Sequence, residues 1–420
     1  MLRKMLSKGT AVPSAIPTAD LPAEPSPADD APPSATDSAF GVDEPERIDF
    51  VARLPYELAV QIFKHMVGEG RTLMLVSKRW HTVAQDNELW KIAYERRFGL
   101  SKTQRERYYL KRDWRELMKV RMRLLENWRT GRVTASELAG HRDSIYCLQY
   151  DAEKIVSGSR DRTIRFWSMS THECYRTLEA HERSVLCLQF DDKFLVSGSS
   201  DNTLIIWDVV SGEKLKKLTG HTQPVLDVRF NSEVIISGSK DSTIRVWDLH
   251  TGAPLRTIEA HRAAINALCI KDNLLASASG DCTVKLWEIA KGICVREFTG
   301  HSRGLACLQF DGEAVASGSN DRSVRMWNAN TGELINEFKG HSDLVRTLAF
   351  DSDHLVTGSY DKTIKIFDRK TGDLLVDLRD AHRSWIFHIQ IDAGKIVSAS
   401  EDRKLIIWDF SDGEDVTDFL

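Results

Sequence analysis

Apolar and polar residues alternate in short runs through the last two thirds of the chain. One set of runs comprises Val185–Phe190, Phe194–Ser197, Thr203–Trp207 and Lys214–Leu218. The runs are rich in β-branched and aromatic residues, and Asp, Gly and Ser separate them. Alternation with a period of two, bounded by turn residues, is typical of half-buried strands. The pattern therefore predicts four short strands in about forty residues.

The same set of four runs recurs at a fixed spacing along the chain, and a histidine precedes each set. Five of the six gaps between these histidines are forty residues, and the last is forty-one. An aspartate follows each histidine after twenty residues, and an aromatic residue follows the aspartate after six. This period predicts an all-β propeller of seven four-stranded blades. The histidines are His141, His181, His221, His261, His301, His341 and His382. The aspartates are Asp161, Asp201, Asp241, Asp281, Asp321, Asp361 and Asp402. The aromatic residues are Trp167, Trp207, Trp247, Trp287, Trp327, Phe367 and Trp408.

These marker residues resemble those of the WD-repeat family. In the third repeat they are His221, Ser237, Asp241 and Trp247, which can form one buried hydrogen-bond chain that ties a blade together. The sixth repeat has Phe367 in place of tryptophan, so we expect its chain to lack the indole donor and to be weaker. Metal binding by the histidines is a poor alternative, because ligands that occur once per blade lie too far apart to share an ion.

The ring of a propeller must close to avoid open sheet edges. The segment Arg132–His141 looks like the fourth strand that precedes every other marker histidine. We therefore expect it to complete the last blade, whose first three strands lie near the C-terminus. The segment Ser411–Leu420 competes weakly for that place.

Composition limits the ligands and the cellular locations that we expect for the protein. The net charge is −4, so the charge of the whole chain does not favour nucleic-acid binding. The seven cysteines are scattered without a CxxC spacing, and we expect structural thiols and no metal site. No signal peptide or long apolar stretch stands out, so we expect no membrane contact and a location in the cytoplasm, the nucleus or both. Residues 1–44 hold seven of the eleven prolines and predict a disordered tail.

Residues 45–98 carry a different pattern. Apolar residues recur every three or four positions, as in short amphipathic helices, and about fifty residues is small for an independent core. The segment resembles the F-box, which implies docking on a Skp-type adaptor and, through it, on a cullin–RING ubiquitin ligase. A self-contained three-helix cap on the propeller is the alternative. The implied adaptor-binding residues are Leu54, Pro55, Leu58, Ile62, Phe63, Val76, Trp80 and Trp90.

Residues 99–131 predict a helical linker, and the propeller follows over 132–420. Eleven Lys or Arg occur against four acidic residues between 101 and 132. We interpret them as a solvated basic face, with nucleic-acid contact as the alternative. The apolar residues at helical spacing are Trp114, Leu117, Met118, Met122, Leu125 and Trp128.

Blade geometry predicts where a ligand can bind. The loop with each marker histidine and the turn with each aspartate open on one face of a propeller, so two positions per repeat ring the mouth of the channel. Ser184, Arg303 and Trp385 face the same way from the loops. The position five residues after the histidine holds Tyr146, Leu186, Leu226, Asn266, Ala306, Arg346 and Phe387. The position before the aspartate holds Arg160, Ser200, Lys240, Gly280, Asn320, Tyr360 and Glu401.

Four cations fall on this rim although the chain is acidic overall: Arg160, Lys240, Arg303 and Arg346. Arginine clusters bind phosphorylated, acidic peptides because the guanidinium fork makes paired, charge-assisted hydrogen bonds to phosphate. For any one of these residues taken alone, a solvated surface charge is the alternative.

The combination of F-box and propeller over residues 48–410 resembles the ubiquitin-ligase substrate receptors of the beta-transducin-repeat-containing class. Matching strings include Ile145–Tyr150, Ser157–Asp161 and Leu344–Arg346. In that family the channel mouth grips a doubly phosphorylated Asp-Ser-Gly-type degron. This sequence departs at Trp385, where the family has an arginine, and Arg383 lies two residues away. The phosphodegron-binding residues that the resemblance implies are Tyr146, Arg160, Ser184, Ser200, Lys240, Asn266, Arg303, Gly304, Arg346 and Tyr360.

No catalytic motif stands out, since the sequence has no GxSxG, no Gly-rich phosphate loop and no HExxH. We expect no catalytic residues and no cofactor. The prediction is a substrate receptor that brings phosphorylated proteins to an SCF-type ubiquitin ligase whose other subunits supply the chemistry. An adaptor-independent scaffold is the main rival, and a nucleic-acid binder that uses the basic linker is the second. The oligomeric state stays open, a homodimer included.

Overall fold

The computed structural model describes residues 49–65, 75–99, 113–179, 181–380, 382–414 and 416. The tail predicted for residues 1–44 and the linker residues 100–112 lie outside these ranges. The chain divides into two compact units, Met1–Leu54 and Pro55–Leu420. In the first unit a 3-10 helix spans Phe50–Arg53, and the Val51 N–H donates to the Asp49 carboxylate at 3.2 Å.

The described part of the second unit begins with short helices whose starts are fixed by polar caps. The Ser77 hydroxyl accepts from the Trp80 N–H at 3.3 Å, and the carboxylates of Asp86 and Asp113 cap the next two helices in the same way. A side-chain oxygen at this position satisfies a backbone donor that has no partner within the helix. The helices are α1 (Tyr56–His65), α2 (Lys78–Ala84), α3 (Asn87–Phe98) and α4 (Trp114–Thr130).

Seven four-stranded antiparallel sheets follow, and they form the predicted seven-bladed propeller. The first strand, β1 (Thr134–Ala139), belongs to the last blade. Blades one to three contain β2 (Ile145–Tyr150), β3 (Lys154–Ser159), β4 (Thr163–Ser168), β5 (Cys174–Glu179), β6 (Val185–Phe190), β7 (Phe194–Ser199), β8 (Leu204–Asp208), β9 (Lys214–Leu218), β10 (Val225–Phe230), β11 (Val234–Ser239), β12 (Thr243–Asp248) and β13 (Pro254–Glu259). Blades four to six contain β14 (Ile265–Lys271), β15 (Leu274–Ser279), β16 (Val284–Glu288), β17 (Ile293–Phe298), β18 (Leu305–Phe310), β19 (Ala314–Ser319), β20 (Ser323–Asn328), β21 (Leu334–Lys339), β22 (Val345–Phe350), β23 (His354–Ser359), β24 (Ile364–Asp368) and β25 (Leu374–Leu378). Blade seven contains β26 (Ile386–Ile391), β27 (Lys395–Ser400) and β28 (Lys404–Asp409), with β1 at its outer edge.

A buried hydrogen-bond chain holds each blade, as predicted. In blade three, His221 Nδ1 lies 2.8 Å from the Asp241 carboxylate, and Nε2 lies 2.8 Å from Ser237 Oγ. The Trp247 indole donates to the same hydroxyl at 2.9 Å. A neutral imidazole with its proton on Nδ1 satisfies every member of this chain. In blade six, Thr357 takes the place of the serine, and Phe367 leaves it without an indole donor.

In blade three, the surroundings of this chain favour a neutral histidine and an ionised aspartate. Burial lowers the pKa of His221, although the hydrogen bond to Asp241 opposes the effect. Burial alone would raise the pKa of Asp241, but the hydrogen bonds from Thr243 and His221 outweigh it and lower the pKa. Both shifts stabilise the protonation states that the hydrogen bonds require.

The ring closes where the sequence predicts. Strand β1 pairs antiparallel with β28, with Thr134 opposite Asp409 and Leu138 opposite Leu405. The Gln390 side chain accepts from the Tyr150 N–H at 2.8 Å and donates to the Tyr150 carbonyl at 3.1 Å. The described residues after 410 add no strand. The last blade is thus completed by chain from before the first blade, which joins the two ends of the ring.

The linker helix α4 is anchored at both ends. Near its C-terminus, Trp128 stacks on Phe410 at 4.1 Å between ring centroids and donates from its indole to the Ala393 carbonyl at 3.0 Å. At its N-terminus, the Trp114 ring packs edge-on against Tyr94 of α3 at 5.7 Å. These apolar contacts connect the short helices to the propeller through α4, which covers the end of the channel opposite the marker-histidine loops.

Candidate functional site

The central channel of the propeller encloses a cavity of about 1010 Å³. The first strand of every blade lines it, and Leu124, Leu125 and Trp128 of α4 lie at one end. The other end is the face that carries the marker-histidine loops. A ligand can therefore reach the channel from that face.

A β-bulge in the first strand of every blade aims one side chain at the channel mouth. In blade three the register skips from Val225 to Asp227, which leaves Leu226 without a partner in β11. Bulges re-aim side chains and are common next to functional sites. The bulged residues coincide with the position five after each marker histidine: Tyr146, Leu186, Leu226, Asn266, Ala306, Arg346 and Phe387.

Three of the predicted phosphodegron-binding residues are bulged residues that line the cavity. Tyr146 is partly buried, and its ring packs against Phe387 at 4.9 Å. The Asn266 amide donates to the Leu305 carbonyl of the next blade at 2.6 Å. The Arg346 guanidinium donates to the Ala306 carbonyl at 3.1 Å, which uses part of its hydrogen-bonding capacity. A guanidinium has five N–H donors, so Arg346 keeps donors for a ligand.

Four others precede the marker aspartates on the same face: Arg160, Ser200, Lys240 and Tyr360. Arg160 and Lys240 are exposed, and 58% of the Arg160 side chain is accessible. Arg160 Nε lies 3.8 Å from the Asp143 carboxylate, and this exposed pair is weak enough for a phosphate to displace. The backbone N–H of each of the four donates to a loop carbonyl of its own blade, which fixes the turn.

The remaining three predicted residues lie in the histidine loops. Ser184 is partly buried, and its carbonyl accepts from the Ser200 N–H at 3.0 Å. Arg303 is exposed. A Cβ on Gly304 would stand 3.1 Å from the Cα and the carbonyl oxygen of Gly280, so only glycine lets these two loops approach this closely.

A buried ionic group inside the channel escaped the sequence analysis. Asp227 accepts from the Leu268 N–H at 2.7 Å and lies 3.5 Å from Arg229, which donates to the Leu268 carbonyl. Burial raises the pKa of Asp227 in spite of Arg229. Burial, together with Arg229 and Arg346, lowers the pKa of His388 to about 3. The sequence does show polar residues, Asp227 and Arg229, at alternate positions of strand β10, and this pattern could have indicated the group.

The aromatic residues that the sequence places on the rim, Tyr146, Tyr360, Trp385 and Phe387, pack together in the structure and form what is here called the aromatic sector. Trp385 is 41% exposed and stacks on Tyr360 with 4.6 Å between centroids and 9° between planes. Phe387 is buried and packs edge-on against both rings. The Trp385 carbonyl accepts from the Glu401 N–H at 2.9 Å, and the Ser384 hydroxyl donates to the Glu401 carboxylate. In the sequence, this sector is indicated by the aromatic residues that stand five positions after the marker histidines of blades one and seven, Tyr146 and Phe387.

The predicted adaptor-binding residues divide between core and surface. Phe63 and Trp80 are buried, with 5.0 Å between their rings, and the Trp90 indole donates to the Ala84 carbonyl at 2.8 Å. These three stabilise the helices. An apolar surface patch, here called the helical patch, remains solvent-exposed and comprises Pro55, Leu58, Ile62, Leu75 and Val76, while Leu54 belongs to the other unit.

Two classes of site find no support within the described ranges. No group of three or more His, Cys, Asp or Glu is placed to hold a metal ion among the residues that the structure covers. No helix in the described chain is long and apolar enough to cross a membrane. All seven cysteines are free thiols in the described ranges.

Family models match two parts of the chain. The model described as "WD domain, G-beta repeat" matches six segments: 132–168, 172–208, 212–248, 252–288, 292–328 and 332–368. Together they cover more than half of the chain. The model described as "F-box-like" matches residues 51–96. The prediction of a propeller preceded by a small helical F-box is confirmed.

The chain is also similar to curated proteins and to a solved structure. The chain is 27% identical over 164 residues to "Probable E3 ubiquitin ligase complex SCF subunit sconB" of Arthroderma otae, covering 31% of this chain and 24% of that protein. It is 32% identical over 162 residues to "F-box/WD repeat-containing protein 7" of Drosophila melanogaster, covering 35% and 12%. A crystal structure of the computationally designed Ika8 protein matches with a TM-score of 0.55 and 30% identity, covering 65% of this chain and 98% of that one.

The matches to these curated relatives span about a quarter or less of the relatives' own length. The WD-repeat match, in contrast, runs through six of the seven blades. The chain belongs to the WD-repeat family and carries an F-box-like segment ahead of its propeller.

Proposed function

We propose that this protein is the substrate-recognition subunit of an SCF-type ubiquitin ligase, in the manner of the beta-transducin-repeat-containing class. The F-box-like segment docks on a Skp-type adaptor and, through it, on a cullin–RING ligase. The propeller rim holds a phosphorylated degron, and other subunits carry out ubiquitin transfer, which proximity accelerates. The protein itself is not catalytic. We place this activity in the cytoplasm, the nucleus or both.

The observation that carries the proposal is the presence of two separate solvent-exposed surfaces of different chemistry among the residues that the structure describes. The helical patch exposes Leu58, Ile62, Leu75 and Val76 on a segment too small to bury them itself. The rim of the propeller exposes Arg160, Lys240 and Arg303 on the open face of the channel. An apolar surface at one place and a basic rim at another fit a protein that bridges an adaptor and an acidic ligand.

Phosphate is the charge that distinguishes the ligand. A phosphoserine adds about −1.5 to −2 charges and three acceptor oxygens, which guanidinium and ammonium groups bind far better than a hydroxyl. Arg346 lines the channel at its mouth and retains free donors, so it can contact a peptide that enters from the open face. Phosphorylation of the substrate thereby becomes the switch for its recognition.

Adaptor docking is tested by co-purification of the full chain with a Skp-type adaptor. Leu58→Asp together with Val76→Asp should abolish co-purification, because both side chains are exposed and apolar at 52% and 55%. Leu215→Asp is the matched control, since Leu215 is a similarly exposed leucine on outer strand β9. Retention of the adaptor by the double variant would favour the scaffold over the receptor.

Degron binding is tested with an Asp-Ser-Gly peptide in phosphorylated and unphosphorylated forms. The wild-type protein should bind only the phosphorylated form, and Arg160→Glu should weaken that binding about tenfold because it reverses one rim charge. Equal binding of the two forms would contradict the proposal.

A further inference from the structure

The rim does not carry the same chemistry all the way around. Blades one, three, five and six contribute the cations Arg160, Lys240, Arg303 and Arg346. From blade six through blade seven to blade one, the aromatic sector takes over, with Trp385 exposed at its edge. The inference below rests on the proposed function, since it treats this sector as one part of the same peptide-binding rim.

The aromatic sector also holds a negative charge. At the position before the marker aspartate, where blades one and three have Arg160 and Lys240, blade seven has Glu401. The Glu401 N–H donates to the Trp385 carbonyl at 2.9 Å, and the Glu401 carboxylate accepts from the Ser384 hydroxyl, so the turn with Glu401 lies against the loop that carries Trp385. Glu401 also acts electrostatically on Tyr146, whose pKa burial raises, while Arg160 opposes that rise. Arg160 in turn forms an ion pair with Asp143, with 3.8 Å between Arg160 Nε and the Asp143 carboxylate.

This combination disfavours a phosphate in blade seven. The faces of aromatic rings are the negative side of their quadrupole. A carboxylate beside them adds a full negative charge, and like charges placed together in a binding site are costly. An anion that approaches Trp385 therefore meets repulsion from both the ring face and Glu401.

The same combination is suited to a cation. A guanidinium stacks on an indole face and makes paired hydrogen bonds to a carboxylate, and its methylene stem covers apolar surface as it does so. Within the described chain, no Lys or Arg of the protein lies over the Trp385 ring. One face of Trp385 stacks on Tyr360, and 41% of the residue is still open to solvent.

We propose that the blade-seven sector binds a basic side chain of the substrate peptide, arginine in preference to lysine, through Trp385 and Glu401. The ligand is then a peptide of mixed charge, with a phosphorylated residue on the cationic part of the rim and an arginine beside it. A second phosphate has no place in this sector.

The experiment measures affinities of singly phosphorylated Asp-Ser-Gly peptides for the purified full-length protein. Arginine, leucine, alanine or a second phosphoserine is placed in turn at each position flanking the phosphoserine. At the best position, arginine should bind about fivefold more tightly than leucine, and phosphoserine should bind more weakly than alanine. Glu401→Gln should remove the advantage of arginine over leucine and leave the leucine peptide unchanged.

Trp385→Arg supplies the converse variant. It should reverse the order, so that the doubly phosphorylated peptide binds about tenfold more tightly than the arginine peptide. Trp385 lies in a loop and is 41% exposed, and Glu401→Gln provides an independent measurement that leaves the stack of Trp385 on Tyr360 in place.

The outcomes separate this inference from the function on which it rests. If phosphopeptides bind but leucine equals arginine, or a second phosphate binds best to the wild-type protein, the cation site is wrong and the receptor stands. If no phosphopeptide binds better than its unphosphorylated form, both proposals fall together. An arginine advantage that survives Glu401→Gln and Trp385→Arg alike would also overturn the assignment to this sector.

Discussion

Ser237 and Ser200 occupy two positions of the repeat that meet opposite physical demands. Ser237 is fully buried, and its hydroxyl joins His221 to Trp247. Ser200 is partly exposed at the rim, and its hydroxyl makes only a 3.4 Å contact with the Ser184 carbonyl. The buried position holds a hydroxyl in every blade: Ser157, Ser197, Ser237, Ser277, Ser317, Thr357 and Ser398. The rim position holds Arg160, Ser200, Lys240, Gly280, Asn320, Tyr360 and Glu401.

The difference teaches which positions specify the fold and which specify the ligand. A buried polar group must find its partner in every blade, because an unpaired one costs about 1–3 kcal/mol. A rim residue meets water in the free protein and can change without that penalty. A position that holds the same kind of residue in every blade therefore serves the fold. An accessible position whose residue differs from blade to blade is a candidate for ligand recognition.

Acid provides the largest test of the buried position, because it acts on several blades together. The pKa of His221 is lowered by burial, so its contribution to stability is complete above the ordinary value of about 6.5 and is lost as pH falls below it. Burial raises the pKa of Asp281, but hydrogen bonds from Arg262, Thr283 and His261 lower it to about 2. The contribution of Asp281 is thus present above about 3.9 and is lost toward pH 2.

We expect the melting temperature, followed by circular dichroism, to decline below pH 6.5 and to fall more steeply below pH 4. The cause is protonation of the histidines of blades one, three, four and five first, and of the marker aspartates second. A shift from pH 7 to pH 8.5 should change little in these groups and is the control. A melting temperature that stays flat between pH 7 and pH 4.5 would contradict the neutral-histidine chain.

Substitution of the two serines tests the comparison directly. Ser237→Ala leaves His221 Nε2 and the Trp247 indole without their common partner, so it should lower the free energy of unfolding by about 2–5 kcal/mol. Ser200→Ala is the matched control and should change it by less than about 0.5 kcal/mol. Denaturant titration with intrinsic tryptophan fluorescence measures both. Equal effects would mean that the buried chain contributes no more than the surface.

The fold could be predicted from the sequence because its determinants repeat. The histidine, aspartate and tryptophan of each blade occupy fixed offsets, so seven copies of one pattern indicated the blade count and the closing strand β1. The bulge positions of the rim followed from the same offsets. These features depend on local register, which a periodic sequence specifies.

Features that occur once could not be predicted in the same way. The stack of Tyr360 on Trp385 joins residues of two blades, and nothing in the spacing indicates that their planes meet at 9°. The pair of Asp227 and Arg229 stands at strand positions that the other blades fill with Cys, Gln, Ala, Thr or His. The position of Trp128 over Phe410 depends on how α4 packs on the propeller. Such contacts arise from tertiary packing between distant segments, which one sequence leaves open.

Charge reversal tests the rim side of the comparison. Arg346→Glu should weaken binding of a phosphorylated Asp-Ser-Gly peptide about a hundredfold, since it replaces a phosphate donor near the channel mouth with a repelling charge. The melting temperature should change little, because Arg346 is only partly buried and bonds to a carbonyl that faces the channel. Fluorescence anisotropy with a labelled peptide measures the affinity.

The control for that charge reversal is Lys193→Glu, which makes the same change of charge on an exposed turn between β6 and β7. This turn lies at the other end of the strands from the rim. The affinity of the control should stay within about twofold of wild type, since distant surface charges are screened by salt. A comparable loss in both variants would indicate that net charge, and not the rim, governs binding.

The smallest expected effect compares two blades at the buried position itself. Thr357→Val in blade six keeps the side-chain volume and removes the hydroxyl that lies 2.8 Å from His341 Nε2. The imidazole loses its partner, and Phe367 has no indole donor to lose one, whereas Ser237→Ala strips both an imidazole and an indole. The free energy of unfolding should therefore fall by about 1–3 kcal/mol, less than for Ser237→Ala. If Thr357→Val costs as much as Ser237→Ala, the indole contributes nothing to the chain, and the blades with tryptophan gain their stability from its packing alone.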